Sequence, residues 1–215
     1  MRILLLNQFY KPDTAATGQL LADVAERLVE CGHEAHVICG CRRYNGESWA
    51  PTKCETINGV RIHRVATTGF GRVRMAGRLI DYVSFYFTAA WRALTLPRPD
   101  VCLSLTTPPF IALIGWGLSK LRRTRSVLWV MDVYPEIAVA YHVLPPHCLV
   151  YRALTRLNRR LYRNATAVIS LGEVMTQRLQ EAGAKAEQVY TVHNWVPGEA
   201  IATADHEAPA LVASP

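Results

Sequence analysis

Asp132 closes a short apolar run, in the segment Trp129-Val130-Met131-Asp132-Val133-Tyr134-Pro135-Glu136, and Glu136 follows about one helical turn later. A carboxylate at the end of a buried strand can accept hydrogen bonds from sugar hydroxyls or act as a general base. The same residues could instead serve a helix, Asp132 as its cap and Glu136 at the favourable end of its dipole. The pattern alone leaves both roles open.

Three other segments also place polar or small residues directly after an apolar run. Asn7-Gln8-Phe9-Tyr10-Lys11-Pro12 leads to Thr17-Gly18, where a helix opens and backbone N–H groups would favour an anion such as phosphate. An ordinary strand–loop–helix connection reads the same way. Thr106 and Thr107 precede Pro108-Pro109. One of them could cap a helix with Pro108 at its first position, or their hydroxyls could face a sugar. Val192-His193-Asn194-Trp195-Val196-Pro197 ends the last apolar run, either as a hinge lining a cleft or as a simple strand cap.

The basic residues form a separate pattern. Net charge is +7 and arginines cluster at 72, 74 and 78, at 122, 123 and 125, and at 159, 160 and 163. Arg72, Arg74 and Arg78 precede a helix with Tyr82, Phe85, Tyr86 and Trp91. Arginine beside aromatics and leucine marks a surface that lies on anionic lipid, or else a solvated face next to a core stripe. The arginines are scattered and form no nucleic-acid recognition motif, so nucleic acid is not an expected partner.

Several chemistries are excluded. No GxGxxG follows the first strand and no acidic residue ends the second, which argues against a dinucleotide oxidoreductase. The six cysteines include no CxxC pair, no DxD element or other metal-ligand spacing is present, and no Ser-His-Asp order suggests hydrolysis. No metal and no cofactor are expected. The opening MRILLLNQFY is interrupted by Asn7 and Gln8, so it reads as a buried strand rather than a signal peptide. No apolar run approaches the ~18 residues of a transmembrane helix. A cytoplasmic protein is the expectation.

The elements that must position these residues alternate. Strands are expected at 2–6, 35–39, 60–65, 101–105, 127–131, 167–171 and 188–192, and helices at 18–31, 75–96, 108–121, 149–164 and 173–182. Residues 41–56 read as a surface loop, and Asn58-Gly59 as a tight turn. Apolar strands separated by helices give an α/β fold, a Rossmann-like parallel sheet with helices on both faces. Ligands then bind at the carboxyl ends of the strands, where all four segments fall. Residues from 198 onward lose periodicity and read as a linker or tail.

Taken in order, ILLLNQFYKPDTAATGQLLADVAERLVECGHEAHVICG, SLTTPP, WVMDVYPE, VISLGEVMTQRLQEAGA and VYTVHNWVP resemble the N-terminal domain of the family-4 glycosyltransferases of the GT-B fold. The likeness is to the fucosamine-transferase-like subgroup that builds bacterial capsule and O-antigen polysaccharide. It covers residues 1–197, leaving 198–215 as linker or tail. It implies retaining transfer from a nucleotide-sugar donor to an acceptor, often a lipid-linked saccharide at the inner face of the membrane. That fits the basic and aromatic surface as a contact with an anionic membrane. By position, Thr17 and Gly18 match the loop that approaches the donor diphosphate, and Asp132 the residue near the reacting sugar. Glu136 shares the D-x-x-P-E element with it, and Asn194 and Trp195 match the stretch before the interdomain linker. Many relatives carry two adjacent glycines where this chain has Thr17-Gly18. The resemblance also implies a second Rossmann-like domain, with most nucleotide contacts and an E-x7-E element, after Pro197. A truncated chain, a split gene with a separate C-terminal-half subunit and a gene fragment would all look alike. A non-catalytic, membrane-associated scaffold or recruiting subunit is the alternative reading.

Overall fold

A computed structural model describes residues 1–42, 54–70 and 75–195. The strands are β1 (Arg2–Leu6), β2 (Glu34–Gly40), β3 (Glu55–Ile57), β4 (Val60–Val65), β5 (Val101–Ser104), β6 (Arg125–Trp129), β7 (Ala167–Ser170) and β8 (Val189–Thr191). The helices are α1 (Ala16–Glu30), α2 (Met75–Thr95), α3 (Ala112–Arg122), α4 (Glu136–Ala140), α5 (Leu149–Asn164) and α6 (Glu173–Glu181). Among the described residues the strands form one sheet, ordered β3-β4-β2-β1-β5-β6-β7-β8, with only the β3–β4 pairing antiparallel.

The strand order reverses beside β1, so α1 crosses one face of the sheet and the later helices cross the other. On the first face, Leu20, Leu21 and Ala25 of α1 pack with Ile3, Leu5, Val37 and Cys39. On the second, Phe85 and Ala89 of α2 and Ile114 and Leu118 of α3 pack with Leu4, Leu6 and Ile38. Leu161 and Tyr162 of α5 and Leu179 of α6 extend that layer over Leu128 and Val168. Leu4, Leu5, Leu6 and Ile38 are almost wholly buried. Each such side chain contributes about 1.5–3 kcal/mol of apolar burial, which fixes the register of β1 and hence what emerges at its end.

Two differences from the sequence-based expectation have clear causes. Residues 41–56 read as a loop, of which 43–53 lie outside the described residues, yet Glu55–Ile57 forms β3. The Asn58-Gly59 turn, with φ of 49° and 80°, folds this short strand back on β4. A three-residue strand of alternating exposure carries too little pattern to stand out. The helix expected from Pro108 starts instead at Ala112, because Pro108 to Ile111 forms a separate turn with Phe110 at φ 65°.

A polar chain fastens α2 to the sheet. Arg92 Nη2 lies 3.0 Å from His63 Nδ1, His63 Nε2 lies 3.0 Å from His36 Nδ1, and His36 Nε2 lies 3.1 Å from Glu34 Oε1. A guanidinium only donates and a carboxylate only accepts. The bonds therefore run one way: Arg92 to His63, His63 to His36, His36 to Glu34. Both imidazoles are buried, and each has both ring nitrogens engaged.

Candidate functional site

The carboxyl ends of β1, β5 and β6 sit side by side, since β1 pairs with β5 and β5 with β6. The loop after β5 is the hinge of the arrangement. The Thr107 carbonyl accepts from Gln8 N at 2.8 Å, tying it to the end of β1. Thr106 Oγ1 accepts from both Met131 N and Asp132 N at 3.1 Å, tying it to the end of β6. Thr106 thus caps no helix. It holds the backbone that presents Asp132, and the two residues singled out separately in the sequence are joined.

Asp132 is half-buried and lines a cleft with Thr106, Phe110, Tyr134, Asn158 and Tyr162. Its carboxyl is raised above the ordinary 3.8 by burial, which penalises the charged form. The Tyr134 phenol is pushed up to about 12, mainly by burial and then by the neighbouring Asp132 charge. The rings of Tyr134 and Phe110 lie 6.4 Å apart and tilted, forming one wall. Asn158 Nδ2 of α5 donates to the Tyr134 carbonyl, and Tyr86 Oη of α2 donates to the Pro109 carbonyl. Two helices therefore clamp the two loops that make the cleft. Glu136 stands in the first turn of α4, whose N-cap is Pro135, so Asp132 does not cap that helix. Glu136 Oε2 is buried without a hydrogen-bond partner.

Thr17 and Gly18 lie in the first turn of α1, not ahead of it. The Gly18 N–H is engaged by the Ala15 carbonyl at 2.8 Å. A Cβ on Gly18 would stand 3.2–3.3 Å from the backbone of Phe9 and Tyr10, so this glycine lets α1 approach the loop after β1. Thr17 Oγ1 lies 3.4 Å from Asn7 Nδ2, which also donates to the Phe9 carbonyl at 2.8 Å. Asn7 itself was not among the residues expected to act. It is fully buried at the end of β1, and its Oδ1 has no hydrogen-bond partner. The available signal was an amide ending a run of leucines. Arg64 of β4 supports the same loop from beneath, donating to the Lys11 carbonyl at 2.6 Å and to Glu55 Oε1 at 2.5 Å.

Asn194 is exposed beyond β8, and no hydrogen bond joins it to Thr17, Thr106 or Asp132 among the described residues. Trp195 beside it is anchored: its ring stacks on Trp129 at 5.7 Å and Nε1 donates to Asp23 Oδ2 at 2.9 Å. The outgoing chain is thereby held on the α1 face. Arg72 and Arg74 lie outside the described residues; Arg78 is exposed in the first turn of α2. The aromatics following them do not share a face. Phe85 is fully buried and Tyr86 partly so, whereas Trp91 is exposed. Among the described residues no three His, Cys, Asp or Glu side chains gather as a metal site. No described helix is long and apolar enough to cross a membrane.

Residues 16–195 match the model of the glycosyl transferase 4-like domain. A probable glycosyltransferase, WbjE of Pseudomonas aeruginosa, is 32% identical over 101 residues, which is 46% of this chain and 24% of that protein. Anabaena HepE, crystallised with UDP and glucose, is similar in structure at a TM-score of 0.54 and 19% identity, over 91% of this chain and 45% of HepE. Sucrose-phosphate synthase from Thermosynechococcus elongatus gives a TM-score of 0.62 at 10% identity, over 91% of this chain and 48% of the enzyme. The chain spans about a quarter of the length of the first and about half that of the other two. At these identities the structural likenesses show the fold: a mostly parallel α/β sheet flanked by helices, as in GT-B glycosyltransferases.

Proposed function

The chain belongs to the glycosyl transferase 4-like domain family, and from that premise we propose that residues 1–197 form the acceptor-side half of a retaining GT-B glycosyltransferase. The observation that carries this reading is the Thr106–Asp132 arrangement: a half-buried carboxylate at the end of β6, its backbone held by a threonine from β5, facing a cleft with an aromatic wall. A carboxylate beside an aromatic wall suits one edge of a saccharide. The carboxylate accepts a hydrogen bond or proton from an acceptor hydroxyl, and Tyr134 and Phe110 supply an apolar surface. Burial that raises the Asp132 carboxyl makes it the stronger base.

The donor is a nucleotide-sugar, in keeping with HepE, which was crystallised with UDP, with UDP and glucose, and with UDP-glucose. Its diphosphate approaches Thr17 and the end of β1. Most donor contacts belong to a second Rossmann-like domain, in the same polypeptide or a separate subunit, reached through Asn194 and the anchored Trp195. Catalysis is positional and electrostatic: the acceptor hydroxyl is held near the anomeric carbon while the diphosphate leaving group is stabilised. We assign the acceptor to lipid-linked saccharides of bacterial surface polysaccharide synthesis, as in the fucosamine-transferase-like subgroup. The protein then works in the cytoplasm against the inner membrane face, with Arg72, Arg74 and Arg78 toward anionic lipid.

The test is equilibrium binding of a short-chain lipid-linked saccharide to this chain in detergent micelles. Saturable binding weakened by Tyr134→Ala and by Asp132→Asn supports the assignment of the cleft. Binding unaffected by both substitutions would place the acceptor elsewhere.

A further inference from the structure

The helix α2 carries two apolar faces, and only one has a partner. Phe85, Ala89 and Ala93 pack on the sheet. On the outer side Leu79, Ile80, Val83, Phe87, Trp91 and Leu94 are exposed by between 39% and 74%. At 100° per residue these six positions fall within an arc of about 120°, and from Leu79 to Leu94 they run about 22 Å along the helix. Isolated exposed apolar residues need no explanation, but a continuous stripe of large ones does.

The charge around the stripe is predominantly positive. Between Asp81 and Asp132 the sequence holds six basic residues and a single acid, Asp100. Asp81, the one acid of α2, is turned back on the preceding loop, where Oδ1 accepts from Thr68 Oγ1 at 2.8 Å and from Phe70 N at 3.0 Å. At the far end of the helix, Arg122 Nη1 donates to the Leu96 carbonyl at 2.8 Å and Nη2 to the Leu94 carbonyl, which joins the end of α3 to the end of α2. Arg98 and Arg123 lie beside them, with Arg98 Nη2 donating to the Arg123 carbonyl at 3.2 Å. Leu121, next to Arg122 at this end of α3, is 73% exposed. Arg78 stands at the opposite end.

We propose that this outer face of α2, with Leu121, is a membrane-docking surface that sinks its large side chains into an anionic phospholipid bilayer while the arginines at its ends meet the headgroup phosphates. The inference rests on the peripheral-membrane part of the reading above and replaces an arginine contact alone with a named inserting element. A continuous apolar stripe flanked by cations is what an interfacial helix needs. Trp195, the last described residue, is bound to Asp23 of α1 on the other face of the sheet. The stripe begins at the end of α2 nearest the strand carboxyl ends, because α2 runs antiparallel to β5. Docking there would bring the cleft of Asp132 to the membrane surface, where a lipid-linked acceptor is presented.

The experiment uses the full chain and vesicles of phosphatidylcholine with or without phosphatidylglycerol, the acyl chains brominated in one set. Expected are co-sedimentation with the anionic vesicles and quenching of tryptophan fluorescence by brominated lipid. That quenching should largely disappear in Trp91→Phe, which still binds. Phe87→Glu, at an exposed position that leaves the core intact, should lower the partition coefficient about tenfold or more, with an unchanged circular dichroism spectrum. Binding without quenching of Trp91, or unaffected by Phe87→Glu, overturns the α2 assignment while the peripheral-membrane reading stands. Absence of binding to any vesicle overturns both. A dimer in solution that Phe87→Glu dissociates, without vesicle binding, would make the stripe a contact between copies and also overturn it.

Discussion

Replacing Thr106 with valine removes one hydroxyl and nearly preserves side-chain volume, so it isolates what that oxygen does. In the native structure Thr106 Oγ1 accepts from Met131 N and Asp132 N, each at 3.1 Å. Valine leaves two backbone donors without this acceptor. An orphaned buried amide costs about 1–3 kcal/mol. Both bonds are only part-buried and share one oxygen, so the pair together should cost about 1–2 kcal/mol. For a chain of this size that is a fall in Tm of roughly 2–8 °C. Urea unfolding followed by far-UV circular dichroism reads the same loss as a lower midpoint at constant m-value. Thr106→Ser keeps the acceptor and loses only a methyl group, so it should recover most of the difference. Saccharide binding should weaken in the valine variant, because the Asp132 backbone is no longer fixed, and return with serine. If valine matches the native chain in both stability and binding, or serine is as damaging as valine, the hydroxyl does not hold this loop and the site has been built on the wrong residue.

Three further outcomes test other parts of the structure. Asp132 has its folded-state pKa raised above the ordinary 3.8 by burial, so the folded state binds the proton more tightly than the unfolded state. Its ionisation therefore costs stability as pH rises from 3.8 through the raised value; Asp132→Asn should raise Tm at neutral pH, and the gain should shrink as pH falls through that window. Gly18→Ala should lower stability by about 1–3 kcal/mol through overpacking, against the ordinary helical gain of about 1 kcal/mol, because its Cβ meets the backbone of Phe9 and Tyr10; a stabilised variant in thermal melts would remove the packing argument. His63→Phe should cost about 1–3 kcal/mol by leaving Arg92 and His36 without their shared partner, measured by urea unfolding, whereas an unchanged midpoint would show that the polar chain does not fasten α2.

The framework was legible because most of the buried strands are apolar runs joined by helical patterns. β4 falls at residues 60–65 as the alternation after Asn58-Gly59 indicated. What could not be read was pairing that depends on distant residues. Thr106 looked like a helix cap because Pro108 follows it, but its partner is the backbone of β6, which only the sheet brings near. Asn7 carried a faint signal as a polar residue ending a leucine run, yet its unpartnered oxygen is visible only once its neighbours are in place. In α2 the phase of the helix was ambiguous for a physical reason. The helix is apolar nearly all round, so periodicity does not say which side is buried. The sheet selected the face bearing Ala89 and Ala93, where close approach is possible, and left Phe87 and Trp91 outside.

Transfer chemistry tests the central assignment most directly. The chain would be supplied with a second Rossmann-like half, joined or separate, and assayed for movement of labelled sugar from a panel of nucleotide-sugars to lipid-linked saccharide. Expected is transfer from at least one donor, falling about 10²–10⁴-fold in Asp132→Asn while that variant stays folded. Transfer undiminished by Asp132→Asn, or none from any donor with a folded two-half protein, would contradict it.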